Sequence, residues 1–396
     1  MKKETFLLYI SLIFLTCDTN LNRIENVLKN TNPKIQHLIK NAAAHEIQIL
    51  LTEIKRDTLG QPRFIETAYQ VDEEQYFYPA STAKLPIAAL TLQKIKELNA
   101  NGISITAHTP FQINTPHGES LVLQDSTELE GKLTIAHLIK KIFLVSDNEA
   151  YNYLFDFLGR DYINAALKEK GLTHTQIQHK FLFNADNENT WEYFFFDKNG
   201  DTLYHQNSIK SREQLNNSNL KGIHKGKGYL KEGELINEPM DFSFKNRISI
   251  RDLNGILKRL IFPEVFSKEQ QFNLTESDYT FLRYWMSRTT TESKIDAYNT
   301  GEYWDSYGKF LIYGDQKGAM HNGIRIYNKV GYAYGTLTDV AYIHDLENEL
   351  EFFLTATILV NSNQIFNDDI YEFEQVGIPF LAALGQEILT DLQTNK

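Results

Sequence analysis

Between Leu85 and Leu98, apolar residues fall on nearly every face of a helical wheel, among them Leu85, Ile87, Ala88, Ala89, Leu90, Leu92 and Ile95. Such a stretch predicts a helix buried on all sides. Upstream, His45 to Arg56 and Phe64 to Gln70 read as two strands joined by Asp57-Thr58-Leu59-Gly60, a turn of the Asp/Gly type. Downstream, Thr134 to Val145 and Glu149 to Leu158 are helix-like, the second closed by Gly159, and helical periodicity returns in Ser249–Leu260 and Asp278–Met286. Gly323–Val330, Gly335–Ile343 and Glu351–Asn361 read as three strands, with Asp345 to Asn348 as the last turn. A final helix from about Ile370 to Leu392 turns Val376, Phe380, Leu381, Leu384 and Ile388 toward a sheet face, and Pro379 is expected to kink it.

Strands at both ends of the chain with helices between them imply one sheet built from N- and C-terminal segments beside an all-helical lobe. The fold class expected is α/β in the wide sense, an α+β sheet with helices on both faces plus that lobe. Residues 45–80 and 265–394 would make the sheet part and residues 81–264 the helical part, with a site at the seam, where pockets tend to form.

Two stretches break the pattern. From Asn184 to Asn246 apolar periodicity fades into Asn, Lys, Glu, Gly and aromatic residues, including Trp191, Phe194, Phe195 and Phe196 and the basic run Lys221, His224, Lys225, Lys227 and Lys231. This insertion, about 184–246, reads as a solvated excursion with an aromatic anchor; a flap over the site is the alternative. At the N-terminus, Lys2 and Lys3 precede the apolar run Phe6–Leu15, too short to span a bilayer but matched to the core of a secretory signal. The single cysteine, Cys17, follows at once, which resembles a bacterial lipoprotein signal with Cys17 as the lipidated residue, although Phe14 and Thr16 depart from that pattern. Cleavage nearby without lipidation is the alternative. Either reading expects an exported protein, in the periplasm or held to the cell envelope, with residues 18–44 as a tether and first helix.

Composition narrows the partners. A chain of 396 residues with 42% hydrophobic and 23% charged residues can bury a large core, and its net charge of -11 leaves no basic balance for binding nucleic acid. One cysteine excludes an internal disulfide, so packing must hold the fold. Any contact with a membrane would come only through the lipid on Cys17.

The chemistry lies in three short motifs. S-x-x-K occurs at Ser81/Lys84, Ser218/Lys221 and Ser306/Lys309, but only Ser81 follows Tyr78-Pro79-Ala80 and opens the long apolar segment. S-D-N occurs once, at Ser146-Asp147-Asn148, between two helix-like stretches, and of the K-x-G matches only Lys329-Val330-Gly331 leads into a strand-like run. In that order these are the S-x-x-K, S-D-N and variant K-T-G elements of penicillin-recognising serine enzymes. With the blocks Phe77–Leu85, Leu133–Leu138, Ser146–Asn152 and Leu282–Met286, the chain from about residue 45 to 394 resembles the class A β-lactamase and related serine hydrolase family.

The resemblance implies an acyl hydrolase without cofactor or metal, acting on a small-molecule β-lactam or a peptide-like amide or ester. It makes Ser81 the nucleophile, Lys84 the base that takes its proton, Ser146 the group that passes a proton to the leaving atom, and Lys329 the cation beside Ser146 and the substrate carboxylate. Asn148 would hydrogen-bond the substrate amide, with an N-cap as its alternative post. Gly331 and Tyr332 follow Lys329 at the strand edge, and the backbone N–H groups of Ser81 and Tyr332 would form the oxyanion hole. Two departures stand out. Val330 replaces the family's Thr or Ser, and His179-Lys180-Phe181-Leu182-Phe183-Asn184 has no carboxylate where the family carries its deacylating glutamate. Glu188, Glu192 and Glu213 are the nearest acids, none at the right spacing. Persistence of an acyl-enzyme is therefore expected, and a ligand-binding envelope lipoprotein that retains the fold with little turnover is the competing reading.

Overall fold

Five antiparallel strands form the main sheet, in the order Ile324–Ala333, Thr336–Asp345, Leu350–Leu359, Gln48–Arg56 and Pro62–Tyr69, in a computed structural model that describes residues 22–29, 32–114, 120–121, 124–128 and 131–395. The expected signal segment and Cys17 lie outside the described residues. Terminal segments thus meet in one sheet, with Gln48–Arg56 paired to Leu350–Leu359 in a register that sets Leu51 opposite Leu354. The Thr336–Asp345 strand is apolar nearly throughout because it is covered on both faces: Val340 and Tyr342 enter one core, Leu337, Ala341 and Ile343 the other.

One of those cores is closed by the helices Arg23–Lys29, Pro33–Ile39 and Ile378–Thr394, through Val27, Leu38, Phe380, Leu384 and Ile388. At Pro379 the last helix changes form: a π-helical turn at Phe373–Gly377 runs directly into the α-helix, whose first turn holds the proline. The opposite face of the sheet receives Ile250–Ile261 and Glu276–Ser287. Both begin at side-chain caps: Ser249 Oγ accepts from the Asp252 N–H (3.1 Å), and Thr275 and Asp278 form a reciprocal capping box.

In the second lobe, the helix Lys84–Ala100 lies at the centre and packs against Ile135–Val145, Asn148–Leu158 and Arg160–Glu169, so its apolar residues have no polar face to spare. The lobe is not all-helical. Ser120–Leu121, Phe111–Asn114, Glu192–Phe196 and Thr202–Gln206 make a four-stranded antiparallel sheet on it.

The strand at 192–196 supplies the aromatic anchor of the stretch expected to be a solvated insertion, most of whose residues are exposed. Tyr193 and Phe195 are fully buried and pack on Phe157 at ring distances of 5.5 and 5.4 Å. The alternation of a half-buried strand is present, but four consecutive aromatic residues hide it from a polar/apolar reading. Further along, Ile223 and Phe242 pack beneath Tyr76 and Tyr78, and Lys225 is buried in an ion pair with Glu46. The insertion is thus largely exposed and is anchored to the molecule through these few buried side chains.

Candidate active site

Ser81 sits in a short 3₁₀ turn, Ala80–Ala83, ahead of the α-helix that starts at Lys84, rather than in the first α-helical turn itself. Ala80, just before it, holds a left-handed φ of 45°, a conformation that costs a residue with a Cβ about 1 kcal/mol or more. The strand Ile324–Ala333 presses against this turn at Gly331. A Cβ there would lie 2.5 Å from the Pro79 carbonyl oxygen, 2.7 Å from the Thr82 nitrogen and 2.8 Å from the Ser81 nitrogen, so only glycine permits the approach.

Lys84, Ser146, Asn148 and Lys329 converge beside that turn. Lys84 Nζ is buried and donates to Asn148 Oδ1 (2.7 Å), to the Ser146 carbonyl and to Ser146 Oγ (3.3 Å). Lys329 Nζ donates to the same Ser146 Oγ (2.8 Å) from the opposite side. Ser146 can face both lysines because it ends its helix in the left-handed conformation, φ 57°, which turns its side chain back into the seam. Asp147 then caps the next helix, its Oδ1 accepting from the Ala150 N–H (2.7 Å), and pairs with Lys141 (3.2 Å). The cap is therefore Asp147, and Asn148 is free to hold Lys84.

Burial pushes the Lys84 ammonium well below its usual range, with the Lys329 charge adding to the effect and Asp147 opposing it. Burial likewise lowers Lys329 to about 7, against Asp339 and with Lys309. Beneath Lys329, Asp339 accepts from the Phe310 and Leu311 N–H groups (3.1 Å each) and from Asn328 Nδ2 (2.9 Å). Lys309, from a second S-x-x-K match, is a structural lysine here. Its Nζ donates to the Met286 and Ile326 carbonyls and to Asn328 Oδ1 (2.7, 3.1 and 2.8 Å). The remaining match has Lys221 exposed and paired with Asp72 (2.8 Å).

Ser81, Ser146, Asn148, Lys329, Val330 and Tyr332 all line one cavity of about 460 Å³. Sequence reasoning did not anticipate its far wall, where Trp304 carries the Lys317 ammonium over its ring at 4.7 Å. The acids that line it are Asp315, which pairs with Lys34 (2.8 Å), and Glu374. None of the three glutamates weighed above does. Glu188 lies 3.8 Å from Arg160, Glu192 faces Asn114 and His205, and Glu213 offers its carbonyl to Arg160. In the stretch where the resemblance expects a carboxylate, Phe181 presents its ring to Lys84 Nζ at 5.2 Å and stacks on Tyr151 at 4.3 Å. Spacing could have pointed to that stretch but not to which side chain faces the lysine.

A family model described as the β-lactamase enzyme family matches residues 30–370. No curated protein matches the chain. Among solved structures, a β-lactamase from Xanthomonas campestris pv. campestris str. ATCC 33913 is 15% identical, with 93% of this chain and 97% of that chain covered at a TM-score of 0.50. A class A β-lactamase from Mycobacterium abscessus is 14% identical over 90% and 98%, at 0.47, and a β-lactamase from Sphaerobacter thermophilus DSM 20745 is 13% identical over 92% and 95%, at 0.47. At such identities the likeness is one of fold, and the first of these carries it.

Proposed function

Because the chain belongs to the β-lactamase enzyme family, we propose that it is a serine acyl hydrolase in which β-lactams, or amides and esters like them, acylate Ser81 faster than water releases the product. The observation that carries this reading is the line from Lys84 Nζ through Ser146 Oγ to Lys329 Nζ. A neutral Lys84 amine has two N–H groups to give, which Asn148 Oδ1 and the Ser146 carbonyl take, so the position that the ammonium form turns to Ser146 Oγ at 3.3 Å becomes a lone pair able to accept a proton. As Ser81 Oγ bonds to the carbonyl carbon, its proton passes to Lys84. When the carbon–nitrogen or carbon–oxygen bond breaks, Ser146 gives its own proton to the leaving atom and recovers one from Lys84. Lys329 keeps the Ser146 oxygen polarised and attracts a substrate carboxylate, for which Val330 supplies no hydroxyl. Backbone N–H groups of Ser81 and Tyr332 receive the developing oxyanion, a contribution of about 3–4 kcal/mol in comparable sites.

Release of the acyl group needs a water with a base beside it. The Phe181 ring against Lys84 supports slow deacylation, since an apolar face activates no water and a missing general base costs about 10²–10⁴ in rate. Intact-protein mass after exposure to a labelled penicillin is the test. An adduct should appear within the first turnover, map to Ser81, decay slowly, and be absent from Ser81→Ala. An adduct elsewhere, or none with any β-lactam or activated ester, would sink the assignment. Export with lipid attachment at Cys17 completes the proposal, supported by the apolar run before it; the mature N-terminus should then be a diacylglyceryl-modified Cys17, and an unmodified Met1 would exclude it.

A further inference from the structure

Beneath the catalytic cavity lies a second cluster of polar groups that the reaction just described does not touch. Lys309, Asn328 and Asp339 come from three different stretches of chain, and all three are buried. Their hydrogen bonds show the form each takes. Lys309 Nζ meets three acceptors, the Met286 and Ile326 carbonyls and Asn328 Oδ1, the pattern of a protonated amine with three N–H groups to place. Asp339 meets three donors, the Phe310 and Leu311 N–H groups and Asn328 Nδ2, the pattern of an ionised carboxylate. Asn328 joins the two, its oxygen toward the ammonium and its nitrogen toward the carboxylate.

Anchoring is part of their work. Ser306 to Phe310 form a wall of the Ser81 cavity, and that wall is held to the strand Ile324–Ala333 by Lys309 on the Ile326 carbonyl and by Asn328 Nδ2 on the Gly308 carbonyl (2.9 Å). Neutral groups could make such bonds. Burying ions that are joined through an amide instead of by direct contact is costly, and burial works against both charges, lowering Lys309 to about 7 and raising Asp339 to about 6.

The charges have a neighbour to act on. Lys329 follows Asn328 in the strand and precedes Val330, the residue that faces Asp339 across the ladder. Its buried ammonium donates to Ser146 Oγ (2.8 Å) and feels Asp339 and Lys309 with opposite sign. The other charged groups nearby are Lys84 and Asp147 on the side of the helical lobe, and Arg325 and Glu292 beside Lys309, already paired with each other at 2.8 Å.

We propose that Lys309, Asn328 and Asp339 form a positioning device that sets whether Lys329 carries its charge, and so the range of pH over which the cavity takes an anionic substrate. Asp339 holds the Lys329 ammonium charged, and Lys309 limits that hold by drawing on the same carboxylate through Asn328. The consequence for rate rests on the acyl-transfer reading above; the charge of Lys329 does not.

The test reads that charge directly, by NMR titration of the full chain labelled with ¹³C at lysine Cε, the Lys329 signal being assigned with Lys329→Arg. Lys309→Met removes a positive neighbour and should raise the Lys329 midpoint by about one pH unit, while Asp339→Asn keeps the shape but removes the anion and should lower it by about as much. Lys309→Arg keeps the charge and should leave the midpoint near the wild-type value. Loss of stability with an unmoved midpoint, or shifts of the same sign in Lys309→Met and Asp339→Asn, would show an anchor and nothing more, and overturns the proposal. Should a variant fail to fold, the wild type decides: its Lys329 should titrate well below the ordinary lysine range, in a curve that bends again where Asp339 titrates, and a single midpoint near the ordinary lysine value of about 10.4 overturns the proposal. Acylation by a carboxylate-bearing penicillin, followed by intact mass, should show its alkaline decline moving with the NMR midpoint, up in Lys309→Met and down in Asp339→Asn. If no lactam or activated ester forms an adduct while the midpoint shifts as stated, the acyl-transfer reading falls and the device stands. If adducts form and the midpoint does not move, the device falls and that reading stands.

Discussion

Two buried ammonium groups share one serine hydroxyl, and the burial that lowers both gives them opposite duties. In the proposed reaction Lys84 must be neutral to take a proton, whereas Lys329 must stay charged to hold an anionic substrate. With Lys84 held well below the ordinary lysine range, the rising limb of acylation against pH should fall well below that of an exposed lysine. Lys329, at about 7, loses its charge above that pH, so acylation by carboxylate-bearing lactams should decline on the alkaline side while a neutral activated ester shows no decline. Acylation rates for the two substrates across pH 5–10 check this; parallel profiles would remove Lys329 from carboxylate binding. Phe181 offers a second test at the same scale. Phe181→Glu would set a carboxylate against Lys84 and should speed deacylation by about 10²-fold or more, while Phe181→Gln, equal in size but without a base, should not. The decay of the Ser81 adduct distinguishes them.

The strand that carries Lys329 and the turn that carries Ser81 act as one element because Gly331 lets them touch. Gly331→Ala should force them apart, destabilising the protein by about 1–3 kcal/mol and slowing acylation of every substrate, since the Ser81 nitrogen itself is among the atoms displaced. Urea unfolding and the acylation rate measure the two effects. The insertion strand Glu192–Phe196 is expected to matter to stability alone. Phe195→Ala empties a fully buried site on Phe157 and should cost about 3–5 kcal/mol, whereas Phe194→Ala, on the outer face of the same strand, should cost far less. Equal effects at the two positions would mean that the strand does not alternate.

At the scale of the whole molecule, the main sheet separates two cores, and Ser81 lies where the helical lobe closes on the strand Ile324–Ala333. Ser81 shares its cavity with Tyr332 from the sheet, and Phe181 from the lobe lies against Lys84, so in the proposed reaction an acyl group on Ser81 would meet both parts of the molecule. Acylation should therefore raise the unfolding temperature of the molecule in a single transition, by the coupling that stabilises any native state with a bound ligand. Differential scanning calorimetry of the adduct and of Ser81→Ala exposed to the same lactam checks it; two transitions, only one of them shifted, would show that the lobes unfold separately.

Much of this site was legible in the linear chain because its parts are local. A serine and a lysine three residues apart at the head of an apolar segment, a serine and an asparagine flanking a helix cap, and a lysine opening a strand are patterns whose geometry follows from backbone periodicity alone. The same periodicities marked the five main strands, with the first C-terminal one continuing to Ala333 instead of ending at Val330. What periodicity cannot carry is which remote side chain meets which. Phe181 faces Lys84 across 97 residues of sequence because the loop after Ile177 folds back on the Asn148–Leu158 helix, where the Phe181 N–H is held by Asn152 Oδ1 (2.7 Å). The 192–196 strand hid its alternation behind consecutive aromatic residues, and the stretches near residues 180, 244 and 370 that meet beside Tyr332 have no pattern of their own. The residues that the proposed reaction uses, and their order along the chain, were therefore determined by sequence. The surroundings of those residues arose only when tertiary packing brought loop-borne rings against the lysine and the strand edge, since contacts between segments without periodicity exist only in the folded chain.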